Sequence, residues 1–272
     1  MQQIRNILQP PLWDALARLD RSRLEELRLR AGRVPGVILS GVERPLPLPP
    51  SSRAQLEQIV GAASGHSSFA ALGEGYLSLP GGHRLGFCGQ AVVKDGQLVH
   101  FRQLSSLNLR FARQVPGVAE PILRQPLGNT LLIGPPGCGK TTVLRDLIRL
   151  CSDRLGHRVG VADERGELAA VRDGTPCFDI GRQTDVLSGG PRSAALELLL
   201  RVMNPTVLAM DEIVSDAERE ALLHAGRCGV ILLATAHATD MEDLQRRFPE
   251  LRDLFPAVFL IQRSTIRMER WG

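Results

Sequence analysis

The chain is poor in aromatic residues. Eight Phe, two Trp and one Tyr make up 4% of its 272 positions, leaving few rings on which unpaired bases could stack and arguing against a single-strand nucleic-acid surface. Lysine is scarce too: Lys94 and Lys140 are the only two among 33 basic residues. No apolar run exceeds five residues, the length of the stretch 230–234, far short of the ~18 that a membrane-spanning helix needs. The opening segment is broken by Pro10-Pro11 and carries Asp14, which does not fit a secretory signal. The five cysteines, Cys88, Cys138, Cys151, Cys177 and Cys228, are odd in number and form no C-x-x-C pair. That excludes a disulfide framework and a zinc knuckle, and it favours a reducing cytoplasm. A large excess of one charge is also missing. With a net charge of +4 and 43% hydrophobic residues, the chain is too apolar for general disorder. Its length suggests two domains, each large enough to bury a core.

The charge that is present is unevenly placed. Residues 1–127 hold 15 Lys and Arg against 9 Asp and Glu, and residues 128–272 hold 18 against 20. The first part therefore offers a modest basic face, suited to an acidic partner, anionic lipid or nucleic acid, unless it is simply a solvated surface. Leu12, Leu16, Leu19, Leu24 and Leu27 fall at helical spacing and predict an amphipathic helix over 12–29. A short strand is expected over 33–39, a proline-rich connection over 44–52, and a helix from the Ser52 cap to about Ala63. From Tyr76 to Arg113 the pattern becomes β. Asp95-Gly96 reads as a tight hairpin turn, and Leu107, Leu109 and Phe111 alternate with polar or small residues. This first, α+β domain is expected to span 1–115, followed by a linker over 116–127. Residues 128–272 then alternate strands (130–133, 158–162, 206–210, 229–235, 258–262) with helices (140–155, 192–203, 216–227), which predicts an α/β domain with a mainly parallel sheet.

Gly134-Pro135-Pro136-Gly137-Cys138-Gly139-Lys140-Thr141 matches G-x(4)-G-K-[ST] between a predicted strand and helix, the context that a P-loop NTPase requires. Glycines let backbone N–H groups face phosphate oxygens, and the helix N-terminus adds partial positive charge. Lys140 reaches the β- and γ-phosphates, Thr141 offers its hydroxyl to Mg2+, and Thr142 follows in the first helical turn as a further binding residue. The only lysine of the second domain stands at the one position where a compact point charge is wanted. Seventy-one residues beyond Lys140, an apolar strand ends in Asp211-Glu212. Asp211 suits the Mg2+ shell and Glu212 can orient the attacking water. No lysine follows Lys140, so a guanine reader of the Asn-Lys-x-Asp type is excluded and ATP is favoured over GTP. The strand before Thr235 and His237 places polar groups where a γ-phosphate would be sensed. Asp163 and Glu164 end the strand after the phosphate-loop helix, which adds Asp163 to the metal candidates and Glu164 to the catalytic ones. Leu187-Ser188-Gly189-Gly190-Pro191 resembles the signature of ABC transporter ATPases. However, only 48 residues separate Lys140 from Ser188, with no room for the helical subdomain those proteins insert there.

The segments GPPGCGKTT, VADERGE, DVLSGGPRSAALELLLRVMNPTVLAMDEI and ATAHATD, with GHRLGFCGQAVV and SSLNLRFARQV before them, together resemble the stage III sporulation protein AA family over about residues 75–263. That family is similar to the traffic ATPases of type II and type IV secretion. The resemblance implies a RecA-like ATPase domain behind a small N-terminal domain. Asp163-Glu164 would stand in an aspartate box and His237 in a histidine box. It further implies a hexameric ring, cytoplasmic and recruited to the inner face of a membrane, acting on a membrane-embedded sporulation channel. Secretion ATPases bring N-domain arginines onto the nucleotide, which makes Arg113 a catalytic candidate, with Arg110 or Arg102 as second choice. Three other readings stay open: a nucleic-acid-dependent RecA-like motor, an ABC-type ATPase subunit despite that spacing, and a nucleotide-gated scaffold without turnover.

Overall fold

Leu24, Leu27 and Leu29 are buried while Glu26, Arg28 and Arg30 are partly exposed, so apolar side chains return at every second position from Leu27 onward. In the computed structural model this segment is accordingly a strand, not the second half of a helix. The structure describes residues 4–20, 23–65, 75–94, 97–171, 174–262 and 265–271. The chain divides into two compact units, Met1–Ala112 and Arg113–Gly272.

The first unit contains α1 (Pro10–Ala17), β1 (Leu24–Arg30), β2 (Gly36–Leu39), β3 (Val42–Pro45), α2 (Arg53–Ala63), β4 (Tyr76–Ser78), β5 (Arg84–Lys94) and β6 (Gln97–Arg110). Among the described residues these strands form one antiparallel sheet in the order β3-β2-β1-β6-β5-β4. The helix expected over 12–29 stops at Ala17. Leu24 and Leu27 fit helical spacing as well as they fit a strand, and pairing of β1 with β6 decides between the two. Ser52 caps α2 by accepting from the Gln55 amide at 3.1 Å, satisfying one of the orphan donors of the first turn. The Asp95-Gly96 turn lies outside the described residues. Leu12, Leu16, Leu56 and Leu85 join Leu27 and Leu29 in the core of this unit.

The second unit runs β7 (Thr130–Ile133), α3 (Lys140–Asp153), β8 (Val159–Asp163), β9 (Thr184–Ser188), α4 (Arg192–Val202), β10 (Val207–Met210), α5 (Asp216–Arg227), β11 (Ile231–Ala236), α6 (Met241–Arg247), β12 (Ala257–Gln262) and β13 (Thr265–Glu269). Its sheet has the order β13-β12-β7-β11-β10-β8-β9, parallel throughout except for the β12–β13 pair. This is an α/β architecture. Strands β7, β8 and β10 are buried at every position, as expected for a parallel sheet covered on both faces. Pairing of Met210 with Ala162 and Ala234, and of Ala236 with Ile133, aligns the carboxyl ends of the central strands. The residues that follow those ends therefore gather at one edge of the sheet.

The segment 116–127, expected as a linker, belongs to the second unit and is fastened to α3. The Ala119 amide donates to Asp146 Oδ2 at 2.9 Å, and Arg154 pairs with Glu120 at 2.5 Å. Among the described residues no helix is long and apolar enough to cross a membrane.

Candidate active site

The turn between β7 and α3 depends on its glycines. Gly134 sits at φ 150°, where an added Cβ would lie 2.4 Å from the Ile261 carbonyl oxygen and 2.7 Å from Cys138 Sγ. Gly139, the residue before α3, takes φ 108° with nothing crowding its missing Cβ. This backbone lets the loop curl around the N-terminus of a 14-residue helix, whose dipole favours an anion there. Pro135, Pro136 and Gly137 form the exposed crest of the loop, Cys138 is half-buried, and Thr142 lies in the first turn of α3.

Lys140 is buried and its Nζ donates to the carbonyls of Gly134 and Pro135 at 2.7 and 3.1 Å. Desolvation pushes its pKa down from the ordinary lysine range, against the pull of Cys138, Asp211 and Glu212. The same nitrogen lies 3.2 Å from His237 Nδ1. An ammonium has only donors, so Nδ1 accepts and the ring proton sits on Nε2. Nε2 faces Glu212 Oε1 at 3.1 Å. Lys140, His237 and Glu212 thus form one hydrogen-bonded chain from the phosphate loop to a carboxylate.

Asp211 is held from two sides: Thr141 Oγ1 donates to its Oδ2 and Thr235 Oγ1 to its Oδ1, each at 2.7 Å. The Thr235 hydroxyl also accepts from the Glu212 amide at 2.9 Å, while the Ile213 amide donates to the Thr235 carbonyl at 2.8 Å. These bonds keep Glu212 at φ 57°, a left-handed conformation that costs a non-glycine residue about 1–2 kcal/mol. Such strain persists where the surroundings over-determine a functional residue. The Thr141 hydroxyl and Asp211 carboxylate are a fitting donor set for Mg2+, which usually combines one or two protein oxygens with phosphate oxygens and water. Among the described residues no cluster of three or more His, Cys, Asp or Glu side chains could hold a metal without such help.

The other predicted acids behave differently from one another. Asp163 is buried, and its two oxygens accept the amides of Leu168 and Ala169 at 3.1 and 2.8 Å. Its carboxylate folds the following loop. Glu164 is exposed to the cleft and meets Arg192 at 3.1 Å. Arg110 lies on β6 in the first unit, 62% exposed and 3.5 Å from Glu26, and Arg102 is exposed on the same strand. Arg113 begins the second unit, where its carbonyl accepts from Arg145 at 2.6 Å. Arg145 is itself buried against the Phe178 ring, with its pKa lowered by desolvation to about 10. It donates as well to the carbonyls of Glu167 and Leu168.

Two arginines outside the predicted site residues also stand at this edge. Arg165, whose spacing gave no reason to place it, lies 3.8 Å from Glu212 Oε2. Arg192, the first residue of α4, is buried there and pairs with Glu218 at 2.8 Å. A signal for Arg192 did exist: a cation in the first turn opposes the helix dipole, and such a placement calls for an anionic partner.

Comparison with known proteins bears on the family and the fold. Residues 1–269 match the family described as Sporulation stage III, protein AA. The chain is 35% identical over 270 residues to stage III sporulation protein AA of Bacillus subtilis (strain 168), covering 94% of this chain and 87% of that protein. Among solved structures, the Legionella pneumophila ATPase DotB superposes with a TM-score of 0.64 at 15% identity, over 94% of this chain and 77% of its own. The pilus retraction motor PilT, solved with bound ADP, gives a TM-score of 0.63 at 14% identity, over 96% of this chain and 82% of its own. At those identities the likeness is one of fold, which this chain shares with DotB and PilT.

Proposed function

Because the chain belongs to the stage III sporulation protein AA family, we propose that it is an ATP-hydrolysing motor of the secretion-ATPase type that energises a membrane complex during sporulation. The observation that carries this reading is the Lys140–His237–Glu212 chain beside the Thr141–Asp211 pair. The phosphate loop from Gly134 to Thr142, through the amides of its non-proline residues, and the Lys140 ammonium bind the triphosphate. Mg2+, which Thr141 and Asp211 would hold, supplies charge neutralisation at the β- and γ-phosphates. Glu212 orients the attacking water at its carboxylate, and Glu164 stands ready at the same cleft as a second acid. An anion at the loop competes with His237 for the Lys140 ammonium, so phosphate binding is felt at Glu212 through the imidazole. Asp163 contributes by shaping the loop that carries Glu164, which is why we assign it a supporting role and not one in the metal shell.

As a motor, the protein would form a homo-oligomeric ring, hexameric like the secretion ATPases it resembles. It would sit at the cytoplasmic face of the membrane, against membrane-embedded sporulation channel proteins. The test is ATP turnover by the purified full chain. The reading expects Mg2+-dependent phosphate release that Lys140→Ala abolishes along with nucleotide binding. Nucleotide binding without turnover under every condition would leave a gated scaffold instead. Hydrolysis dependent on single-stranded DNA would favour a nucleic-acid motor.

A further inference from the structure

The first residue of α4 touches three segments at once. Arg192 is 8% exposed, and each nitrogen of its guanidinium has a different partner. Nε donates to Glu218 Oε1 at 2.8 Å, Nη1 to the Asp211 carbonyl at 2.9 Å, and Nη2 meets Glu164 Oε2 at 3.1 Å. The partners come from the start of α5, the end of β10 and the end of β8, so one planar fork joins the two acidic segments of the cleft. Glu218 is buried as well, and its Oε2 accepts the amides of Val214 and Ser215 at 2.7 and 2.9 Å. The turn 211–215 is therefore gripped from its carbonyl side by Arg192 and from its amide side by the anion that Arg192 neutralises. On the opposite flank Thr235 grips Asp211 and Glu212.

We infer that Arg192 is a positioning residue for hydrolysis: it fixes Glu164 and the turn that carries Glu212 at one mutual geometry, without itself binding the nucleotide. The inference rests on the ATPase reading above. A buried cation at a helix N-terminus is unfavourable twice over, by desolvation and by the dipole, and is retained where its partners need it. Packing alone would be met by an apolar side chain of similar volume. Lysine is not equivalent, because an ammonium is a point charge without the rigid fork that spans three partners.

The test compares the full-length wild type with Arg192→Lys, Glu164→Gln and the double variant. Positioning contacts of this kind are worth about 10–100-fold. Arg192→Lys should lower kcat about tenfold or more while the KM for ATP stays within about threefold, because Lys140 and the phosphate loop are untouched. The kcat losses of Arg192→Lys and Glu164→Gln should fall short of multiplying in the double variant. If Arg192→Lys melts below the assay temperature, Glu218→Gln, which keeps the guanidinium and removes its anchor, carries the same kcat and KM expectations. The inference is overturned by turnover within twofold of wild type in the variant that folds, by a loss confined to KM, or by fully multiplicative losses. A wild type that does not hydrolyse ATP would instead overturn the ATPase reading, so the two failures are distinguishable.

Discussion

Glu212 should be worth more to the fold as glycine than as alanine, although either change destroys the carboxylate. Its φ of 57° is costly for any residue with a Cβ, by about 1–2 kcal/mol. Replacing alanine with glycine removes that cost but frees the unfolded chain, which returns about 0.4–1 kcal/mol. The difference leaves Glu212→Gly more stable than Glu212→Ala by roughly 0.5–1 kcal/mol. Both variants lose the contacts to His237 and Arg165 equally, so those contacts cancel in the comparison. For a unit spanning Arg113–Gly272, such a difference raises the midpoint of thermal unfolding by about 1–4 °C. The assay is calorimetry of the two full-length variants side by side, with ATP turnover measured on the same samples. Neither should hydrolyse ATP. If the alanine variant melts at or above the glycine variant, the backbone at Glu212 is not strained, and the argument from strain to function fails.

Acid should weaken the first unit through His83. Burial pushes this imidazole down to about 4 from 6.5, and its Nδ1 accepts the Ala112 amide at 3.0 Å, a bond that protonation would break. Below pH 6.5 the unfolded chain takes up a proton that the folded one refuses. Stability is therefore lost as pH falls from about 6.5 to 4, by roughly 3 kcal/mol in total. Denaturant titrations of the full chain followed at Trp13 should show this loss for wild type and a smaller one for His83→Gln; equal pH slopes would rule His83 out. Cys138 is half-buried in the phosphate loop, its sulfur close against Gly134. Alkylation there should block ATP binding on steric grounds, and bound ATP should slow the labelling, both readable by mass spectrometry and a binding assay. Full binding after stoichiometric labelling of Cys138 would contradict this.

What was legible in the sequence was what local residues dictate. The phosphate loop needs glycine at defined backbone angles, and the acids after β8 and β10 follow buried apolar strands, so both stood out as linear patterns. The helix expected over 216–227 is α5, and the structure shows that a Ser215–Glu218 capping box starts it. The missed features depend on partners distant in sequence. Leu24 and Leu27 suited a helix until pairing with β6 imposed a period of two. Strands β9 and β13 lie at the two edges of the sheet and are too polar to read as buried strands. Arg192 meets partners 19, 26 and 28 positions away, which no local pattern encodes. Asp163 looked like a metal ligand because it ends a strand at the right edge, yet the amides of its own loop claim both oxygens.

Lys140 and Glu212 divide the labour, the first binding the nucleotide and the second acting in turnover. Nucleotide affinity and ATP turnover should be measured on the same preparation of full-length Glu212→Gln. The predicted result is ATP binding within about threefold of wild type with turnover reduced about a hundredfold or more, as expected when a group acting only in the transition state is removed. Turnover at the wild-type rate in that variant would contradict the account and shift the water-orienting role to Glu164.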